Sequence, residues 1–243
     1  MTTFVLVPGF WLGGWAWDEV AASLRAAGHR VHPVTLTGVA EKAHLATPET
    51  DLDTHTDDIV RLIEEEDLRD VVLVGHSGGG MPVTQAADRI PERIRRVVYV
   101  ESGPLPDGVS QFDTNEPAEQ ARLRAEIGDG HLLPVRDWAA AADPMLLAGL
   151  DEATLATLRE RSTPHPLGAA TQPVHRAGAG DALPIALVAC IFPVEQVEAM
   201  VAQGHPFFAA FRGGEIRGLP TGHWPMLSEP KRLAEILDDL STH

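Results

Sequence analysis

The sequence predicts an α/β fold, a mostly parallel sheet flanked by helices. Apolar runs on consecutive residues, Phe4-Val5-Leu6-Val7 and Val71-Val72-Leu73-Val74, are what strands covered on both faces look like. Stretches of helical period separate them, and strand–helix–strand alternation at this spacing implies parallel pairing. At 243 residues the chain is long for an average domain, but α/β folds reach this size as single units.

Taken in order, the first strand, residues 4–7, is broken by Pro8-Gly9. Residues 17–27 carry Val20, Leu24 and Ala27 at i, i+4 and i+7 and stop at Gly28, a helix with a glycine C-cap. Residues 30–36 form the next strand. Residues 53–66 form a helix with Thr54 or Asp53 as cap and Ile59, Leu62 and Ile63 facing inward. The strand at 71–74 follows, then a helix after Ser77, then a strand at 95–100. Residues 103–183 change character: rich in Ala, Pro, Asp and Arg, they show no strand pattern, a weak helix at 137–142 and a better one at 151–161. Leu146, Leu147, Leu150, Leu155 and Leu158 can form a small core there, so the stretch reads as a helical lid inserted into a core made of residues 1–102 and 184–243. Sheet rhythm returns at 185–191, followed by helices at 194–203 and 230–240.

Composition excludes several function classes. The chain is 44% hydrophobic and 22% charged, with a net charge of −16. Such an excess of carboxylates repels phosphate, so neither nucleic acid nor an anionic membrane is an expected partner. No apolar run approaches the 18 residues or more of a membrane span, and the N-terminus lacks the basic and apolar regions of a secretion signal. The lone Cys190 excludes an internal disulfide and fits a reducing compartment. The expectation is a cytoplasmic protein acting on a small molecule, with a homodimer left open.

VVLVGHSGGG, residues 71–80, carries the chemistry. Gly75-His76-Ser77-Gly78-Gly79 spells G-x-S-x-G directly after a strand, the signature of a nucleophile elbow. A strand must turn sharply into a helix so that one hydroxyl stands clear, and glycines on either side relieve the crowding of that turn. The helix that follows aims its N-terminal N–H groups where an oxyanion would develop. A phosphate-binding glycine loop is the competing reading, but the string fits neither GxGxxG nor GxxxxGK[ST].

A serine nucleophile needs a base, and in elbow enzymes the histidine comes last in the chain. Of 11 histidines, His223 in Thr221-Gly222-His223-Trp224-Pro225-Met226 has the strongest claim, flanked by glycine and proline before the terminal helix. His76 reads as a wall residue, because its side chain leaves the elbow in another direction. Trp11, Trp15 and Trp17 read as core and pocket packing, with Trp11 at the pocket entrance; Phe207, Phe208 and Phe211 pack the returning segment. Cys190 reads as a small buried hydrophobe within its strand.

These motifs together resemble the α/β-hydrolases, in the branch of plant methyl esterases and hydroxynitrile lyases with their bacterial relatives. The resemblance rests on Phe4-Val5-Leu6-Val7-Pro8-Gly9-Phe10, Gly13-Gly14-Trp15-Ala16-Trp17, Val34-Thr35-Leu36-Thr37-Gly38, Asp51-Leu52-Asp53-Thr54-His55, the elbow, and Gly222-His223-Trp224-Pro225-Met226. It implies an α/β-hydrolase fold with a helical lid over the serine and an oxyanion hole built from the backbone N–H groups of Phe10 and Gly78. Gly9, Trp11, His76 and Trp224 are the candidate pocket residues. The chain departs from the family in having Pro8-Gly9 where His-Gly is usual.

The triad acid is the open position. The family commonly places it after the strand at 185–191, where only Glu195 follows, in a helix start that the helix dipole already explains. The preceding strand ends in Glu101, at the C-terminal edge of the sheet beside the elbow, an arrangement that resembles certain haloalkane dehalogenases. Glu101 is therefore preferred, with Glu195 as the alternative and Asp107, or no acid, behind them. The expected function is a serine hydrolase cleaving a small ester, thioester or lactone through an acyl-enzyme, with no cofactor and no metal. The alternatives are a lyase acting on cyanohydrins and a catalytically silent binder of small molecules. Trp224 stands where the lyases carry a lysine, which weighs against the first.

Overall fold

The computed structural model describes residues 1–139, 141–205 and 208–242. In chain order they form β1 (Thr3–Val7), α1 (Asp18–Ala26), β2 (Arg30–Pro33), α2 (Leu52–Glu65), β3 (Val71–His76), α3 (Gly80–Arg89), β4 (Ile94–Val100), α4 (Pro117–Ile127), β5 (Leu132–Leu133), α5 (Glu152–Arg161), β6 (His165–Pro166), α6 (Leu167–Thr171), β7 (Ile185–Ala189), α7 (Val194–Ala202), β8 (Glu215–Gly218), α8 (Pro225–Ser228) and α9 (Pro230–Thr242). Six strands make one sheet in the order β2-β1-β3-β4-β7-β8, every neighbouring pair parallel. The chain starts at β1, moves out to β2 and returns to β3 on the other side of β1. The strand order therefore reverses between β1 and β3, and a crevice opens beyond their carboxyl ends.

Period-two alternation divides the strand residues between two cores. Phe4, Leu6, Val72, Val74, Val98 and Val100 pack on one face with Leu24 of α1 and Leu233, Leu237 and Leu240 of α9. Val5, Val7, Val71, Leu73, Val97 and Tyr99 pack on the other with Ile59 and Ile63 of α2, Val83 of α3 and Val197 of α7. With both faces covered, the central strands carry apolar residues on consecutive positions, Phe4–Val7 in β1, Val71–Val74 in β3 and Val97–Val100 in β4.

Several elements differ from the sequence expectation, each for a physical reason. α2 begins earlier than expected, because Asp51 is its cap: the carboxylate accepts the N–H of Thr54 at 2.9 Å, and the Thr54 hydroxyl completes a capping box. β8 has no counterpart in the apolar pattern. It is an edge strand of sequence EIRG whose charged residues are paired, Arg96 with Glu215 and Arg217 with Asp239, each at 2.7 Å. β7 ends at Ala189, so Cys190 lies one residue beyond it. No helix forms at 137–139 or 141–142. The carboxylates of Asp137 and Asp143 accept the N–H groups of Ala139 and Leu146, local bonds that compete with helix formation. Ala140 and Phe207 lie outside the described residues.

Residues 103–183 are not purely helical. They also hold β5 and β6, two residues each, paired antiparallel. α4, unmarked by any apolar stripe, buries none of its residues and carries Glu119 and Glu126 on either side of Arg122. The leucines of this stretch make no separate core: Leu147, Leu155 and Leu158 join the cluster of Phe4, Leu6 and Trp17, with Leu146 and Leu150 packed against it.

Candidate active site

At the C-terminal end of β3 the backbone turns through Ser77 at φ +48°, left-handed geometry that a serine adopts at a cost. The turn is braced from just past β4, where Ser102 Oγ donates to the Ser77 carbonyl at 2.6 Å. Gly78 admits no side chain, since a Cβ there would stand 2.3 Å from the ring of Phe10. That closeness sets the Phe10 ring, from the loop after β1, against the elbow across the switch point of the sheet.

His223, on the loop between β8 and α8, brings Nε2 to 2.8 Å from Ser77 Oγ. Its loop is held from two sides. The His223 N–H donates to the Leu146 carbonyl at 2.7 Å, and Gly222 N–H donates to the Ala148 carbonyl at 3.1 Å. From the elbow, His76 Nε2–H donates to the His223 carbonyl at 2.7 Å, with the two rings 5.0 Å apart. His76 is fully buried. Burial, and then the neighbouring His223, hold its imidazole well below the ordinary value, so it stays neutral and serves as a fixed donor.

Glu101 directly follows β4 and also has positive φ, +49°. Its Oε2 faces His223 Nδ1 at 3.6 Å, a charge contact longer than a hydrogen bond. Its Oε1 accepts the N–H groups of Cys190 and, at 3.2 Å, Ile191. Pairing of Val100 with Val188 places residue 101 against the chain leaving β7. Glu195 is exposed in the first turn of α7, and Asp107 accepts the N–H of Arg176 at 2.8 Å. Of the three carboxylates, Glu101 is the one facing His223.

Ser77 and His223 open onto a cavity of about 760 Å³ that Phe10, Gly78, Trp11, His76 and Trp224 also line. Gly9 does not line it: a Cβ at this position would lie 2.9 Å from both His76 Nδ1 and Ser77 Cβ, so Gly9 packs behind the wall. The far wall comes from residues 111–137, with Leu146 and Ala170. Sequence reasoning missed two cations there, Arg122 and Arg136. The Arg136 guanidinium stacks over Trp224 at 4.9 Å and Trp138 at 5.4 Å and pairs with Asp143 at 3.5 Å. No spacing or motif marks it; only the folded contacts do. Among the described residues no group of three or more His, Cys, Asp or Glu is arranged to hold a metal ion, and no helix is long and apolar enough to cross a membrane.

Comparison with known proteins identifies the family. Residues 4–236 match the model of the alpha/beta hydrolase family. The chain is 35% identical to the carbendazim hydrolyzing esterase of Nocardioides sp. (strain SG-4G), over 98% of each chain. It is 32% identical to salicylic acid-binding protein 2 of Nicotiana tabacum, over 48% of this chain and 47% of that one. A solved extracellular alpha/beta-hydrolase from a Paenibacillus species superposes with a TM-score of 0.81 at 20% identity, over 98% of each chain. The chain belongs to the alpha/beta hydrolase family, among its esterase-type enzymes.

Proposed function

We propose that the protein hydrolyses a small carboxylic ester, thioester or lactone through an acyl-enzyme on Ser77. The observation that carries this reading is the 2.8 Å contact of Ser77 Oγ with His223 Nε2 at the floor of a cavity sized for a small ligand. His223 Nε2 takes the hydroxyl proton as Ser77 Oγ bonds to the carbonyl carbon. The N–H groups of Phe10 and Gly78 donate to the oxyanion. His223 then returns the proton to the leaving oxygen or sulfur, the bond to it breaks, and Ser77 is left acylated. Water repeats the sequence: His223 takes one of its protons, the new hydroxyl bonds to the acyl carbon, and the acid departs as Ser77 regains its proton. Glu101 stabilises the imidazolium formed in each half. Residues 103–183 act as the lid that walls the substrate in.

Ser77→Ala is expected to abolish turnover of p-nitrophenyl esters of graded chain length without shifting the melting temperature by more than a few degrees. Substantial turnover by a well-folded variant would overturn the nucleophile assignment. The lyase reading draws on Arg136 as a cation for departing cyanide, but Asp143 already pairs with it and Trp224 occupies the position next to the base. Mandelonitrile should therefore release cyanide no faster with enzyme than in buffer, and release lost in Ser77→Ala would favour the lyase.

A further inference from the structure

His165 lies in the two-residue strand β6, far from the elbow in sequence, and is 2% exposed. Its Nδ1 accepts the backbone N–H of Trp11 at 3.4 Å, and its ring lies against that of Phe10 with centroids 4.2 Å apart. Two residues earlier, Thr163 N–H donates to the Trp11 carbonyl at 3.1 Å, while Thr163 Oγ1 accepts the N–H of Ala40 at 2.8 Å. Both backbone polar groups of Trp11 are thus engaged by one segment. Trp11 is itself in the left-handed region, φ +69°, a conformation that a bulky residue keeps only when its surroundings impose it.

His165 is a costly residue for mere filling. Its Nε2 is buried and has no hydrogen-bond partner among the described residues, and an unsatisfied buried N–H costs roughly 1–3 kcal/mol. The neighbouring His55 ring stands 5.2 Å away, edge to face, with its own Nε2–H given to the Thr37 carbonyl at 2.8 Å. A leucine would fill the same space without that penalty. What leucine cannot do is accept the Trp11 N–H.

Resting on the acyl-transfer reading of Ser77, we propose that His165 is a positioning residue for the oxyanion loop. It fixes Trp11 in its left-handed turn and seats Phe10 against Gly78, so that the Phe10 N–H faces the substrate carbonyl. The side chain touches neither substrate nor Ser77; it acts through Phe10 and Trp11.

The test compares His165→Phe, which keeps a flat ring but loses the acceptor, with His165→Asn, whose amide oxygen can replace Nδ1. Removing one oxyanion donor costs about 10²–10³ in kcat, so a misplaced one should lower kcat of His165→Phe on a p-nitrophenyl ester by about tenfold or more. KM should stay within about twofold, and His165→Asn should recover a large part of the loss. Amide hydrogen exchange of residues 9–12 should accelerate in His165→Phe and not in α3. Unchanged kcat and unchanged exchange in His165→Phe would overturn the proposal, as would an Asn variant no better than Phe. If His165→Phe does not fold, kcat and exchange of His165→Asn against His165→Leu decide it. Absence of ester turnover in the unmodified protein would instead defeat the acyl-transfer reading, while the exchange measurement still decides whether His165 holds the loop.

Discussion

Glu101 and His223 meet at 3.6 Å, and the carboxylate's other oxygen is already committed to two backbone N–H groups. That division of labour makes an amide a poor substitute. In Glu101→Gln the amide oxygen would stay with Cys190 and Ile191, turning the NH₂ toward His223 Nδ1 and forcing the wrong tautomer. The analogous change in a serine protease costs about 10⁴-fold in kcat, and a loss of several orders of magnitude is expected in ester hydrolysis here. Glu195→Gln, on an exposed helix start, should leave kcat within about twofold. Steady-state kinetics on both variants checks this, and the reverse ranking would move the acid to α7.

At the scale of elements, α2 offers a measurable cap. Asp51 satisfies the Thr54 N–H and closes a reciprocal box, so Asp51→Ala should cost about 1 kcal/mol of stability in urea unfolding, with kcat unchanged. A loss under about 0.3 kcal/mol would mean that water replaces the cap at no cost. Elements whose register the apolar pattern dictates were legible in the sequence: β1, β3, β4, α1 and α9 each present an unbroken run or a helical stripe to the core. α4 and β8 were not, since one buries nothing and the other is a charged edge whose partners lie at Arg96 and Asp239. The site divides the same way. Ser77 and His223 announce themselves through glycine and proline spacing. The choice between Glu101 and Glu195 depends on which chain lies beside β4, a fact of strand pairing that no local pattern carries. His165 and Arg136 matter only through contacts made across more than one element.

For the molecule as a whole, buried imidazoles set the response to acid. His55, His76 and His165 are all lowered from the ordinary imidazole value, burial being the largest cause in each case. Their folded forms resist protonation while the unfolded chain protonates near pH 6.5. The unfolded state therefore binds more protons as pH falls below that value, and stability drops with it. Each such group contributes up to about 1.4 kcal/mol per pH unit. Thermal melts should shift down by several degrees between pH 7.5 and 5.5, before carboxylate titration enters, and replacing His55 by Gln should flatten the dependence. A melting temperature constant over that window would show that other groups compensate.

The backbone bond from His223 to Leu146 ties the proposed base to the segment between β4 and β7 as well as, through His76, to the sheet. Stretches with few buried contacts open at lower free energy than the core, and although Leu147, Leu155 and Leu158 anchor part of this segment in the core, its α4 buries nothing. Heat should consequently silence the enzyme before it denatures it. The midpoint of reversible activity loss should fall several degrees below the midpoint of the circular dichroism melt, with limited proteolysis cutting first near α4. Coincident midpoints would mean that segment and sheet come apart as one cooperative unit.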